Sequence, residues 1–197
     1  MQRTLPRLLE TSAERFPDNV LLLEKRAERY EGTTYREARE RVHRFGAGLM
    51  DLGLQKGDRV ALLSEGRNDW VVAELGILCC GAVNVPISVK IDEASALKFR
   101  LLHSGCRMAV VSRGQVEKIR AVRNDLPDLQ LTIVLDPLEP LEPDEVWAGD
   151  VAARGERLLA GSRAAFDARW QGIAEPDPAN ICYTSGTTAD PKGIVLT

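Results

Sequence analysis

Zinc-site and disulfide scaffolds lack the residues they need in this chain of 197 residues. The four cysteines, Cys79, Cys80, Cys106 and Cys182, include no CxxC pair, the spacing that zinc sites favour. They read as free, buried thiols of a reducing compartment. The two histidines, His43 and His103, have no ligand-like neighbour in sequence, so no metal site built from protein nitrogens is expected. Long hydrophobic runs are missing too. The longest, residues 71–80, contains Glu74 and is too short to span a bilayer. No basic start followed by an apolar core announces a signal peptide. Charge of one sign is also lacking: the net is −3, with acids and bases mixed throughout, which offers nucleic acid no general attraction. A soluble cytoplasmic protein is the expectation, with peripheral membrane contact left open. Apolar residues at 44% and charged residues at 28% suit a globular chain with a substantial core.

Along the chain, apolar periodicity alternates between helix and strand. Residues 4–16 carry leucines at 5, 8 and 9 and stop before Pro17, as a short amphipathic helix does. Residues 20–24 and 29–31 read as strands, with Gly32 expected to turn the chain. Thr34 and Glu37 have the spacing of a capping box, and Ala38, Val42, Phe45, Leu49 and Leu52 then form one helical face. Gly53 closes that helix. Lys56, Gly57 and Asp58 make a turn into a strand at 59–63. Asn68 is expected to cap a buried helix reaching about residue 80, with Gly81 ending it and a strand at 82–86.

Helices at 92–103 and 116–125 and strands at 108–111 and 131–135 continue the pattern. Such alternation argues for an α/β fold, doubly wound, with a mainly parallel sheet flanked by helices. Prolines and acids crowd residues 136–144 and mark a surface connection. Two helical pieces, 146–159 and 163–170, and a strand at 180–184 are expected after it. The division is therefore 1–136 as an α/β subdomain, 137–179 as a connection with short helices, and 180–197 as the start of the next sheet.

The chemistry concentrates in residues 183–193, YTSGTTADPKG. Glycine lets backbone N–H groups approach anionic oxygens, short hydroxyls add donors, and Lys192 adds a compact positive charge. Aliphatic stretches on both sides predict strand, loop, strand. A plain polar hairpin is one reading. A Walker loop is another, but it requires Gly-Lys followed by Ser or Thr and then a helix. Here Pro191 precedes Lys192 and Gly193 follows it.

The order Thr-Ser-Gly-Thr-Thr, two variable positions, then Pro-Lys-Gly resembles the phosphate loop of AMP-forming acyl-CoA synthetases and their adenylate-forming relatives. Ala189 stands where that family usually has glycine. Thr34-Tyr35-Arg36-Glu37, the run 56–61, Asn68-Asp69-Trp70 and the run 76–86 resemble the family in order and spacing. The likeness therefore extends over the chain from about Leu5, with Tyr35 and Trp70 read as packing residues. Arg67-Asn68-Asp69-Trp70 and the segment from Gly161-Ser162-Arg163 to Trp170 look most like the long-chain fatty acid–CoA ligase branch.

The resemblance implies an ATP-dependent acid–thiol ligase. It would use ATP with Mg2+ to form an acyl-adenylate and coenzyme A to take the acyl group, with no nucleic-acid partner. Thr184, Ser185, Gly186, Thr187, Thr188 and Lys192 match the positions that hold the nucleotide phosphates, with Lys192 the one catalytic candidate. The family's adenine site, acyl pocket and mobile C-terminal domain lie further along than Thr197. An N-terminal fragment, catalytically incomplete alone, is therefore expected. A non-catalytic interaction module, an adenylating enzyme for an amino or aryl acid, and a generic NTPase are the alternatives.

Overall fold

Val60, Ala61, Leu62 and Leu63 are all fully buried, the mark of a strand covered on both faces. They form β3 (Arg59–Leu63), the middle of a seven-stranded sheet. The computed structural model of the chain describes residues 3–184 and 190–197. Around β3 lie β4 (Val83–Pro86), β5 (Cys106–Val111), β6 (Leu131–Val134), β7 (Glu145–Trp147), β8 (Asn180–Thr184) and β9 (Lys192–Leu196). The spatial order is β7-β6-β5-β3-β4-β8-β9. Every neighbouring pair is parallel except β8 with β9. The α/β class and the mainly parallel, doubly wound sheet agree with the sequence reading.

Strand side chains alternate between two cores, as a period of two dictates. On one face Val60, Leu62, Met108, Val110 and Ile133 pack under α2 (Tyr35–Asp51), α3 (Asn68–Cys79) and α6 (Ala148–Gln171), through Phe45, Leu49, Ile77 and Phe166. α1 (Leu5–Arg15) joins this layer through Leu9. On the other face Ala61, Leu63, Ala109, Val111 and Val134 meet α4 (Ala94–Ser104) and α5 (Val116–Val122) through Leu97, Leu101, Ile119 and Val122. No described helix is long and apolar enough to cross a membrane. Cys79, Cys80 and Cys106 are buried free thiols and Cys182 is half-buried. Burial pushes the Cys80 thiol up to about 12 and that of Cys106 to about 11.

The capping box is present. Thr34 Oγ1 accepts from the Glu37 N–H at 3.3 Å, and Glu37 Oε2 accepts from the Thr34 N–H at 2.8 Å. Several local expectations are corrected. Gly32 does not turn the chain; it pairs with Leu23 inside the hairpin of β1 (Val20–Arg26) and β2 (Arg29–Thr34). A β-carbon there would lie 3.1 Å from Val20 Cγ2, so the glycine makes room for a cross-strand neighbour. Asn68 does not cap α3 but is its first residue, with Arg67 at the cap position. Its side-chain amide reaches Thr33 Oγ1 at 3.5 Å instead, tying α3 to the hairpin.

The segment after residue 136 carries one further strand, β7, ahead of its helices. Its prolines and acids lead into β7, whose Glu145 carboxylate accepts from Arg120 at 2.6 Å and pairs the strand's start to α5. The two expected helical pieces are present end to end within α6, separated by a kink at Ser162 (φ −152°, ψ 53°). No proline interrupts that stretch, and its alanines, leucines and arginines favour helix. α6 lies directly on α2. A β-carbon on Gly155 would collide with the Arg44 carbonyl oxygen and lie 2.6 Å from the Gly48 nitrogen.

β8 joins the parallel sheet at its first residue, by a bridge between Asn84 and Asn180. The fully buried Asn84 side chain donates to Asn180 Oδ1 at 2.9 Å and to Glu74 Oε1 at 3.1 Å. Burial raises the Glu74 carboxyl above its ordinary 4.5, against the lowering effect of the two asparagine contacts.

Two predictions follow from this packing. Gly155→Ala should lower stability by on the order of 3 kcal/mol. Gly161→Ala, where nothing lies within 4 Å of an added β-carbon, should be neutral or gain up to about 1 kcal/mol. Urea unfolding of both variants checks the contrast. Glu74 is the acid whose folded form resists ionisation, so its stabilising share is complete below its unfolded pKa and lost as pH rises. Glu74→Gln should therefore match wild type at pH 4 and unfold at a higher temperature than wild type at pH 7. Thermal melts across that range decide it.

Candidate functional site

The parallel strands end on the same edge of the sheet, the edge where open α/β folds gather their ligands. β8 reaches that edge at Thr184, and residues 185–191 follow it directly. β9 then returns antiparallel, with Ile181 opposite Val195, Tyr183 opposite Gly193 and Thr184 opposite Lys192. Strand, loop, strand is thus the arrangement on both sides of the hydroxyl-rich segment. A helix after the lysine, which the Walker arrangement demands, is replaced by a strand.

Of the sequence-predicted site residues, Thr184 and Lys192 are brought face to face as the last pair of the hairpin. Both are exposed. None of the ion pairs given for the described residues engages Lys192. Ser185, Gly186, Thr187 and Thr188 lie outside the described residues, as does Ala189.

Gly193 has a packing reason to be glycine. A β-carbon there would sit 3.0 Å from Ile181 Cγ2 and 3.4 Å from Tyr183 Cζ. Its absence lets the Tyr183 ring lie close against β9. The Tyr183 hydroxyl donates to the Arg100 carbonyl oxygen at 3.2 Å and is 2.8 Å from His103 Nδ1. Burial raises the phenol above its ordinary pKa. The Arg100 guanidinium stands 5.8 Å from the ring centroid.

Sequence reasoning singled out none of the groups that fix β8 from outside the loop: Glu74, Asn84, Arg100 and His103. Asn84 carried a readable signal, a polar side chain in the middle of an apolar strand. Arg100 and His103 carried none, since their partner lies some eighty residues away. The described residues contain no group of three or more His, Cys, Asp or Glu side chains able to hold a metal ion.

Comparison with known proteins places this geometry. The model of the AMP-binding enzyme family matches residues 9–197. The medium-chain acyl-CoA ligase ACSF2, mitochondrial, of Bos taurus is 30% identical, over 98% of this chain and 33% of its own length. The long-chain-fatty-acid–CoA ligase FadD15 of Mycobacterium bovis is 29% identical, over 83% of this chain and 26% of its own. The chain spans about a third or less of the curated relatives it matches. Among solved structures, the long-chain-fatty-acid-CoA ligase FadD1 of Archaeoglobus fulgidus superposes with a TM-score of 0.80 at 21% identity, over all of this chain and 37% of that one. A fatty acyl CoA synthetase of Mycobacterium tuberculosis gives 0.72 at 26% identity, over 98% and 34%. The fold is shared along the whole chain, the loop signature stands where β8 meets β9, and the chain belongs to the AMP-binding enzyme family.

Proposed function

We propose that this chain is the phosphate-gripping part of an ATP-dependent acid–thiol ligase acting on a fatty acid. The observation that carries the reading is the pairing of Thr184 with Lys192 at the carboxyl end of β8, at the two ends of the family's hydroxyl-rich motif. Thr184, Ser185, Thr187 and Thr188 would supply hydroxyl donors and Gly186 a close backbone approach to the β- and γ-phosphates. Lys192 would offset their charge. With the pyrophosphate end restrained, a carboxylate attacks the α-phosphorus; the α–β bridging P–O bond breaks, and pyrophosphate leaves. Holding and charge neutralisation carry most of the catalysis in such transfers. In the second half-reaction the thiol of coenzyme A attacks the acyl-adenylate and AMP leaves. Magnesium bound with the nucleotide would lower the charge of the leaving pyrophosphate.

The fatty-acid assignment is supported by the medium-chain and long-chain acyl-CoA ligases among the relatives and by the likeness around residues 67–70. In the structure those residues are held by packing and ion pairs. Arg67 bonds Asp136 at 2.7 Å and Asp69 at 2.6 Å, and Trp70 packs against the core.

In the enzyme that carries this chain, the double variant Ser185→Ala, Thr187→Ala should slow acid-dependent exchange of labelled pyrophosphate into ATP by about 100-fold, two charge-assisted hydrogen bonds being lost. Thioester formation from added acyl-adenylate should stay within a factor of a few. Exchange unchanged in the double variant would remove the loop from the mechanism.

A further inference from the structure

β8 is fastened to the parallel sheet at its foot but not at the end that carries the loop. Its backbone bridge to β4 is at Asn180, whereas β3 and β4 pair over four successive residues. Towards Thr184 no bridge to β4 is present among the described residues, so side chains tie that end of the strand to the neighbouring helices.

Tyr183 is the side chain that does so. Its hydroxyl proton goes to the Arg100 carbonyl oxygen at 3.2 Å. The His103 Nδ1 at 2.8 Å must then donate to the same hydroxyl. The three groups form a chain in which each hydrogen bond has one donor and one acceptor. His103 is held in turn by Phe99, whose ring stacks on it at 5.4 Å and 18°, and its edge meets the Tyr183 ring at 5.8 Å and 71°. Arg100 is pinned by its own bond to the Ala96 carbonyl oxygen at 2.7 Å while its guanidinium covers the tyrosine face, a contact worth more as it is desolvated. Gly193 completes the seat from the side of β9. All of these contacts act one residue before Thr184.

We infer that Arg100 and His103 of α4 are positioning residues for the phosphate loop, acting through Tyr183. The inference rests on the functional reading above and adds to it the device that fixes the Thr184–Lys192 end of the hairpin. Arg100 and His103 lie outside the loop motif and hold that strand end through Tyr183. Loosening either one spreads the positions that Thr184 and Lys192 can take, and restraining them on binding weakens affinity for the nucleotide.

Two measurements on the enzyme that carries this chain test it: calorimetric titration with MgATP, and hydrogen exchange at the amides of residues 183–184 and 192–194. Tyr183→Phe deletes the hydroxyl and keeps the ring. His103→Ala deletes the donor at an exposed position. His103→Asn returns an amide donor on a short side chain. Tyr183→Phe and His103→Ala should each weaken MgATP roughly 3- to 10-fold and speed exchange at the hairpin end, with β3 and β5 amides unaffected. His103→Asn should recover most of both losses, which a merely structural deletion would not. Variants that bind MgATP as wild type does, with unaltered hairpin exchange, overturn the positioning role alone. A wild-type enzyme without MgATP affinity overturns the phosphate-loop reading, and the positioning role with it.

Discussion

Thr184 faces Lys192 across one antiparallel pair, and the site depends on that pairing. Neighbouring strands lie about 4.8 Å apart, so the bridge brings both ends of the intervening segment together before any ligand arrives. Parallel strands need a long crossover between them, whereas antiparallel ones accept a short link. The sheet is parallel up to β8 and changes sense only there. That change of sense lets a link of few residues, rich in hydroxyls by sequence, join β8 to β9 in place of a helical crossover.

The remainder of the fold keeps this edge in place. Helices cover both faces of β3 and β5, so the platform is buried on two sides and resists bending. The closest approach in it, α6 on α2 through Gly155 and Gly48, uses residues without β-carbons and clamps the layer beneath Phe166 and Leu49. On the same face, α3 supplies Glu74 to the buried Asn84, which reaches Asn180. A chain of packed groups thus runs from the α2–α6 layer to the foot of β8. On the other face α4 reaches the far end through Tyr183. The two ends of one strand are held by helices on opposite sides of the sheet.

What could be read from the residues was what depends on neighbours close in sequence. Thr34 and Glu37 are three apart, and the capping box they spell is formed. Val60 to Leu63 is apolar without interruption, and it is the buried central strand. Where the outcome depended on distant partners, the reading failed. Gly32 looked like a turn because Val20, which needs its space, is far along the chain. Asn68 looked like a cap because Thr33, which takes its amide, belongs to another element. β7 is three residues long and owes its existence to pairing with β6 and to Arg120, neither visible locally. At the site, the flanking strands and the positions of Thr184 and Lys192 were legible in the motif. The buried amide and carboxyl at the foot of β8, and the tyrosine seat on α4, were not, because they are contacts between elements many residues apart.

The most direct test of the central claim is a crystal structure of the chain with a non-hydrolysable ATP analogue and magnesium. The account predicts triphosphate density at the carboxyl end of β8, with phosphate oxygens within hydrogen-bond reach of Lys192 Nζ and the Thr184 hydroxyl. Density for the analogue at another face, with Lys192 turned away from it, would contradict the account.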